Sequence, residues 1–212
     1  MTQILSGITP EGIMVATDSM ATAVDTNEEV VHFPVDKLFS LGSHAFVVSG
    51  GMGISVELSR SLQRYVGRRG LVDIESITSV AGPYLNLQYR EYLLDNPGLT
   101  RKNEELQRIF FLVGGYSFKK GSQPYQLVLW GSEASSLPLQ QIRFGMCVAI
   151  PRTLSGEMRL LKLCEEKRPL AELLDFAQQF LAQMADAGHG VGPPFRLGTV
   201  TPEGFTLVEP KV

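Results

Sequence analysis

What is scarce in this chain limits its chemistry before any motif is considered. Only two of its 212 residues are cysteines, Cys147 and Cys164. Two thiols make no disulfide framework. No His or Cys spacing resembles a zinc site, so no metal and no cofactor is expected. Cys147 lies in an apolar run and Cys164 in a polar, helical stretch. Both read as structural thiols, since free cysteine is usually a small buried hydrophobe. Charged residues make up 19% and the net charge is -3. With no long basic run, nothing favours nucleic acid or an anionic membrane as partner. No apolar run reaches the ~20 residues a membrane helix needs. The first residues lack the basic start and apolar core of a secretion signal, so the expected location is the cytoplasm.

What is present is a globular composition, 44% hydrophobic, with neither linker nor low-complexity tract. It predicts one domain over residues 1–212 with a substantial core. Residues 2–8 and 12–18 read as strands around Thr9-Pro10-Glu11-Gly12, where Pro presets φ and Gly re-enters the strand. The same tetrapeptide returns as Thr201-Pro202-Glu203-Gly204, between strands 195–200 and 205–208. Strands 36–41 and 45–49 flank Gly42-Ser43-His44. Gly50-Gly51-Met52-Gly53 then breaks the strand, and Ile54, Leu58, Leu62 and Val66 recur at helical spacing. A longer helix is predicted over about 73–94 and a polar loop over 99–107. Residues 109–113 and 125–130 are strongly β, joined by a turn around Lys119-Lys120-Gly121. A weaker strand covers 142–150. Helices follow over 155–166 and from Pro169 to Asp186, the second with Leu170, Leu173, Leu174, Ala177, Leu181 and Met184 on its buried face. Strands in hairpin order want antiparallel sheets, and two helix pairs can cover two of them. The expected class is α+β, a four-layer αββα sandwich.

Thr2 is the residue with the most chemistry in reach. Aminopeptidases remove an initiator Met that precedes a small residue. That trim would leave Thr2 with a free α-amine beside its own hydroxyl, a base and a nucleophile on one residue. Such an amine has an ordinary pKa of about 7.7–8.0, so a useful fraction is free base. Lys37, if close, would lower it further. Asp18 would hold the Lys37 ammonium in place and keep it charged. Gly50 would be a natural oxyanion donor through its N–H, because glycine permits close backbone approach.

Thr2, the run Gly12-Ile13-Met14-Val15-Ala16-Thr17-Asp18-Ser19-Met20-Ala21-Thr22, Lys37, and Val48-Ser49-Gly50-Gly51 together resemble the proteasome β-subunit family of N-terminal nucleophile hydrolases, including its bacterial relatives. The similarity is strongest over the first ~55 residues and collinear beyond. The resemblance implies that Thr22 and Gly50 pair with substrate backbone, that Met20 and Val48 help wall the first specificity pocket, and that Asp186 supports the terminal Thr. It further implies a threonine peptidase acting on peptides or unfolded protein, assembled with itself into a ring or other closed oligomer. An ATP-driven unfoldase is a possible partner. One stretch departs from the family: Val148-Ala149-Ile150-Pro151 stands where a Gly-Ser-Gly turn is usual, and only Ser155 could substitute after a shift.

Two rival readings stand beside the peptidase. One is a non-catalytic, proteasome-like subunit that retains Met1 and serves as shell or binding platform. The other is a small-molecule amidase with a closed pocket.

Overall fold

The structure, a computed structural model, describes residues 2–24, 29–97, 108–119, 123–132 and 138–209. Along the chain come β1 (Ile4–Thr9), β2 (Gly12–Thr17), β3 (Met20–Val24), β4 (Val30–Pro34), β5 (Leu38–Ser40) and β6 (Ala45–Gly51). Helices α1 (Ile54–Arg68) and α2 (Ile74–Asp95) follow, then β7 (Ile109–Tyr116), β8 (Tyr125–Ser132), β9 (Gln140–Ile142) and β10 (Cys147–Ile150). The chain continues through α3 (Leu154–Glu165), α4 (Leu170–Asp186), β11 (Arg196–Thr201) and β12 (Gly204–Val208). This is the α+β class expected. The chain groups into two compact units, one of residues 1–37, 144–199 and 206–212, the other of 38–143 and 200–205.

The first unit is built on the sheet β10-β1-β2-β11-β12. β1 and β2 are inner strands, and nearly every residue of both is buried. Their register sets Ile4 opposite Thr17 and Thr9 opposite Gly12, which is the hairpin the Thr9–Gly12 turn predicts. On the other side β1 pairs with β10, Ile4 opposite Ile150 and Gly7 opposite Cys147. Leu160 and Cys164 of α3 and Leu173, Phe176, Ala177 and Leu181 of α4 bury against Leu5, Met14, Ala16 and Ala149. These α4 positions are the apolar stripe read from the sequence. Glu11, in the β1–β2 turn, accepts the Leu170 N–H at 2.9 Å. A carboxylate there satisfies an orphan donor and complements the positive end of α4. The separate β3–β4 pair has Met20 opposite Pro34 and Thr22 opposite His32.

The second unit carries the sheet β5-β6-β7-β8-β9. Leu58, Leu62 and Val66 of α1 and Ile74, Ile77, Ala81, Leu85 and Tyr89 of α2 pack on Val47, Phe111, Val113 and Trp130. Gly82 of α2 makes room for the indole: a Cβ there would stand 2.8 Å from Trp130 Nε1. β6 stops at Gly51, whose φ of 91° suits glycine and where any Cβ would collide with the Arg108 carbonyl.

Three local expectations change. The strand expected over 142–150 is two strands, because β9 pairs with β8 while β10 pairs with β1. The β3–β4 hairpin was not anticipated. Lys37 lies one residue ahead of β5 rather than inside a strand. The loop expected over 99–107 and most of the turn at Lys119-Lys120-Gly121 lie outside the described residues.

Candidate active site

The β1–β2 register brings the start of the chain to Asp18. With Ile4 opposite Thr17, the next pair outward is Gln3 and Asp18, and Asp18 N–H donates to Gln3 O at 3.3 Å. The Gln3 N–H in turn donates to Asp18 Oδ1 at 2.9 Å. Asp18 Oδ2 accepts the Met20 N–H and the Lys37 ammonium, each at 3.0 Å. The carboxylate is therefore held by two backbone donors and one charge, which fixes its orientation.

Lys37 Nζ closes the cluster. It donates to Thr2 Oγ1 at 3.0 Å, to Asp18 Oδ2 at 3.0 Å and to the Met20 carbonyl at 2.7 Å. An ammonium has three donors, and all three are engaged. The pair is enclosed: the Lys37 side chain is 4% exposed and that of Asp18 0%. Burial pulls the Lys37 pKa below its ordinary value, while the charge and hydrogen bond of Asp18 oppose that pull. So positions 2, 18 and 37, far apart in sequence, meet at hydrogen-bond distance within one unit. Thr2 itself is only half-buried.

The other sequence-nominated residues take varied places. Met20 contributes main-chain groups, accepting from Lys37 and donating to Asp18, and its sulfur packs where a Cβ on Gly192 would stand 2.8 Å away. Thr22 is exposed on β3, with Oγ1 3.1 Å from His32 Nδ1. Asp186 is the exposed last residue of α4, and no hydrogen bond described for the cluster reaches it. The loop after α4 does come to this region, through Gly192: its carbonyl accepts the Ser19 N–H at 3.3 Å. Gly50 and Val48 belong to the second unit, on β6, where Gly50 pairs with Phe110 and fully buried Val48 with Leu38 and Leu112. Ser155 is exposed in the first turn of α3.

Sequence reasoning missed two contributors. The Met20 carbonyl is a main-chain acceptor and leaves no mark in side-chain identity. Gln3 is 0% exposed, and its amide donates to Pro151 O at 3.3 Å. It thereby ties the residue after Thr2 to the end of β10. Gln3 Oε1 and Ser19 Oγ are buried without a hydrogen-bond partner, so the cluster is flanked by unspent acceptor capacity. Among the described residues, no group of His, Cys, Asp and Glu is placed to hold a metal ion, and no helix is long and apolar enough to cross a membrane.

The arrangement favours charge on one oxygen. A fixed ammonium donating to Thr2 Oγ1 stabilises negative charge developing there. It does not itself accept the hydroxyl proton while it remains charged.

No protein-family model matches the chain, and no curated protein matches it in sequence. By structure 403 solved chains match, so what the chain shares with known proteins is its path in space. One is an Anbu mutant from Hyphomicrobium sp. strain MC1, with a TM-score of 0.68, covering 100% of this chain and 86% of that one at 15% identity. A likeness at this identity establishes a common fold.

Proposed function

We propose that the chain is a proteasome-like N-terminal nucleophile hydrolase, in which Thr2, bared by loss of Met1, cleaves peptide bonds through an acyl-enzyme. One observation carries the reading: a buried lysine, pinned by Asp18, donates to the hydroxyl of the second residue at 3.0 Å. With all three lysine donors engaged, the base has to come from elsewhere. The α-amine of a trimmed Thr2 is the nearest group of suitable pKa, about 7.7–8.0 when unperturbed. It takes the hydroxyl proton as Oγ1 attacks the carbonyl carbon, and returns it to the leaving amine. Lys37 stabilises the charge on Oγ1, and Asp18 holds Lys37. In this reading Thr22 meets substrate backbone, Met20 helps shape the first pocket, and Asp186 acts in support. The fold shared with the Anbu mutant supports this reading. A nucleophile of this kind calls for confinement, hence a closed homo-oligomer fed with unfolded chains.

A second reading keeps the fold and drops the chemistry. Val148, Ala149 and Ile150 are buried strand residues paired with β1, so the place of the family's helper serine is occupied by apolar packing. A structural subunit with Met1 retained fits that observation.

Intact mass followed by labelling decides between them. Protein isolated from its own cells should have lost Met1, and a peptide epoxyketone should then form an adduct on Thr2, because that reagent needs both hydroxyl and amine. A retained Met1 supports the structural subunit. Trimmed protein that gives no adduct removes the nucleophile from the proposal.

A further inference from the structure

Cys147 and Cys164 come from different elements, the first residue of β10 and the last turn of α3. The strand register nonetheless brings them together. Cys147 is opposite Gly7 of β1, and directly opposed residues of an antiparallel pair project to the same face. A Cβ on Gly7 would stand 2.7 Å from Cys164 Sγ. The bare glycine therefore leaves a recess beside Cys147, and the sulfur of Cys164 descends into it from the helix. Leu160 and Leu173 wall the same recess, 3.4 and 3.5 Å from that Cβ position. Both thiols are free, and they are only 4% and 1% exposed.

Polar contacts order the pair. Cys147 donates to the Glu157 carbonyl at 3.9 Å. The neighbouring Cys164 thiol lowers the pKa of Cys147, while Cys147 and burial push that of Cys164 up. Ionisation therefore begins at Cys147.

We propose that Cys147 and Cys164 are a redox pair, closed to an intrachain disulfide by a small hydroperoxide. The Cys147 thiolate attacks one peroxide oxygen. The O–O bond breaks, an alcohol leaves after protonation, and Cys147 becomes a sulfenic acid. The Cys164 sulfur then attacks the Cys147 sulfur, the S–O bond breaks, and the Cys164 proton leaves with the hydroxide as water. Two thiols lose two hydrogens, and the hydroperoxide is reduced to alcohol and water. The closed bond clips α3 to β10, which is hydrogen-bonded to the strand that begins beside Thr2. This site is independent of the peptidase reading.

The full-length protein is treated with tert-butyl hydroperoxide without denaturant, quenched, unfolded and alkylated with iodoacetamide. The expected product is lighter by two hydrogens, takes up no alkyl group and regains both thiols with dithiothreitol. A mapped cross-link joins the peptides of Cys147 and Cys164. Gly7→Ala should slow closure by more than about fivefold, since a disulfide tolerates little displacement of its sulfurs. Two alkylatable thiols after treatment would overturn the proposal. So would oxygen addition to one cysteine with the other left free, or a cross-link between two chains.

Discussion

Each unit has a five-stranded sheet and a helix pair packed beside it, but they bury different polar groups. Among the described residues, the second unit buries only serines, Ser49, Ser55, Ser59, Ser117 and Ser132. The first buries Asp18 and Lys37 with Gln3, Ser6, Thr9, Thr17 and Ser19. An enclosed ion pair is a poor way to stabilise a fold, because desolvating two charges offsets most of their attraction. The second unit shows that a sheet covered by two helices is built without one. The ion pair in the first unit is therefore best understood through the hydroxyl it addresses.

The largest effect that would break this contrast is on turnover. Thr2→Ala should reduce peptide hydrolysis by more than about 10³-fold. It should leave the melting temperature within a degree or two, because Thr2 lies outside the core. Residual activity near wild type would move the nucleophile elsewhere. Next comes stability. Lys37→Ala leaves Asp18 buried and uncompensated, and should destabilise by about 3–5 kcal/mol, roughly 10 °C in a chain of this size. Replacing both members with apolar residues, Asp18→Leu with Lys37→Met, should recover much of that loss while activity stays absent. If the double variant is as unstable as the single one, the pair is structural after all.

A smaller effect follows from pH. Burial lowers the Lys37 pKa below the ordinary value near 10.5, Asp18 notwithstanding. Between those two values the unfolded chain binds more protons than the folded one, so the lysine's contribution to stability rises with pH. It is complete above the ordinary value and is lost as pH falls through the folded value. Urea unfolding of wild type and Lys37→Met across the alkaline range should show the difference moving in favour of wild type. A difference that is flat or falls would mean that Asp18 outweighs burial. The smallest effect is expected in the second unit. Ser59 is enclosed with its hydroxyl unpartnered, so Ser59→Ala should change stability by no more than about 0.5 kcal/mol in either direction.

The sequence exposed much of the first unit because its signals are local. The β1–β2 hairpin follows from two short β-rich runs around a Pro-Glu-Gly turn, and α4 from its leucine spacing. Thr2, Asp18 and Lys37 could be nominated together because one hairpin fixes the distance between the first two. What stayed hidden depends on pairing between distant segments. Residues 142–150 read as one weak strand, and only the strand partners, β8 for β9 and β1 for β10, divide the stretch. Successive residues of β4, Val31, His32 and Phe33, are all exposed, so among the described residues β4 has no buried stripe to mark it. The meeting of Cys147 and Cys164 turns on a glycine in a third element, which no spacing between the cysteines reveals. Glu11 looked like a turn residue, and its place on the first N–H of α4 required the tertiary fold.

The position of β1 has a practical side. It is an inner strand, flanked by β2 and β10, and Gln3 is already sealed into the sheet with its N–H on Asp18. An affinity tag fused ahead of Thr2 has to exit at that one residue, and it turns the nitrogen of Thr2 from an amine into an amide. On the proposed mechanism, material produced in that form should fold normally and be inert. An assay on it would report the cloning strategy, so recombinant work should leave the leading end of the polypeptide native.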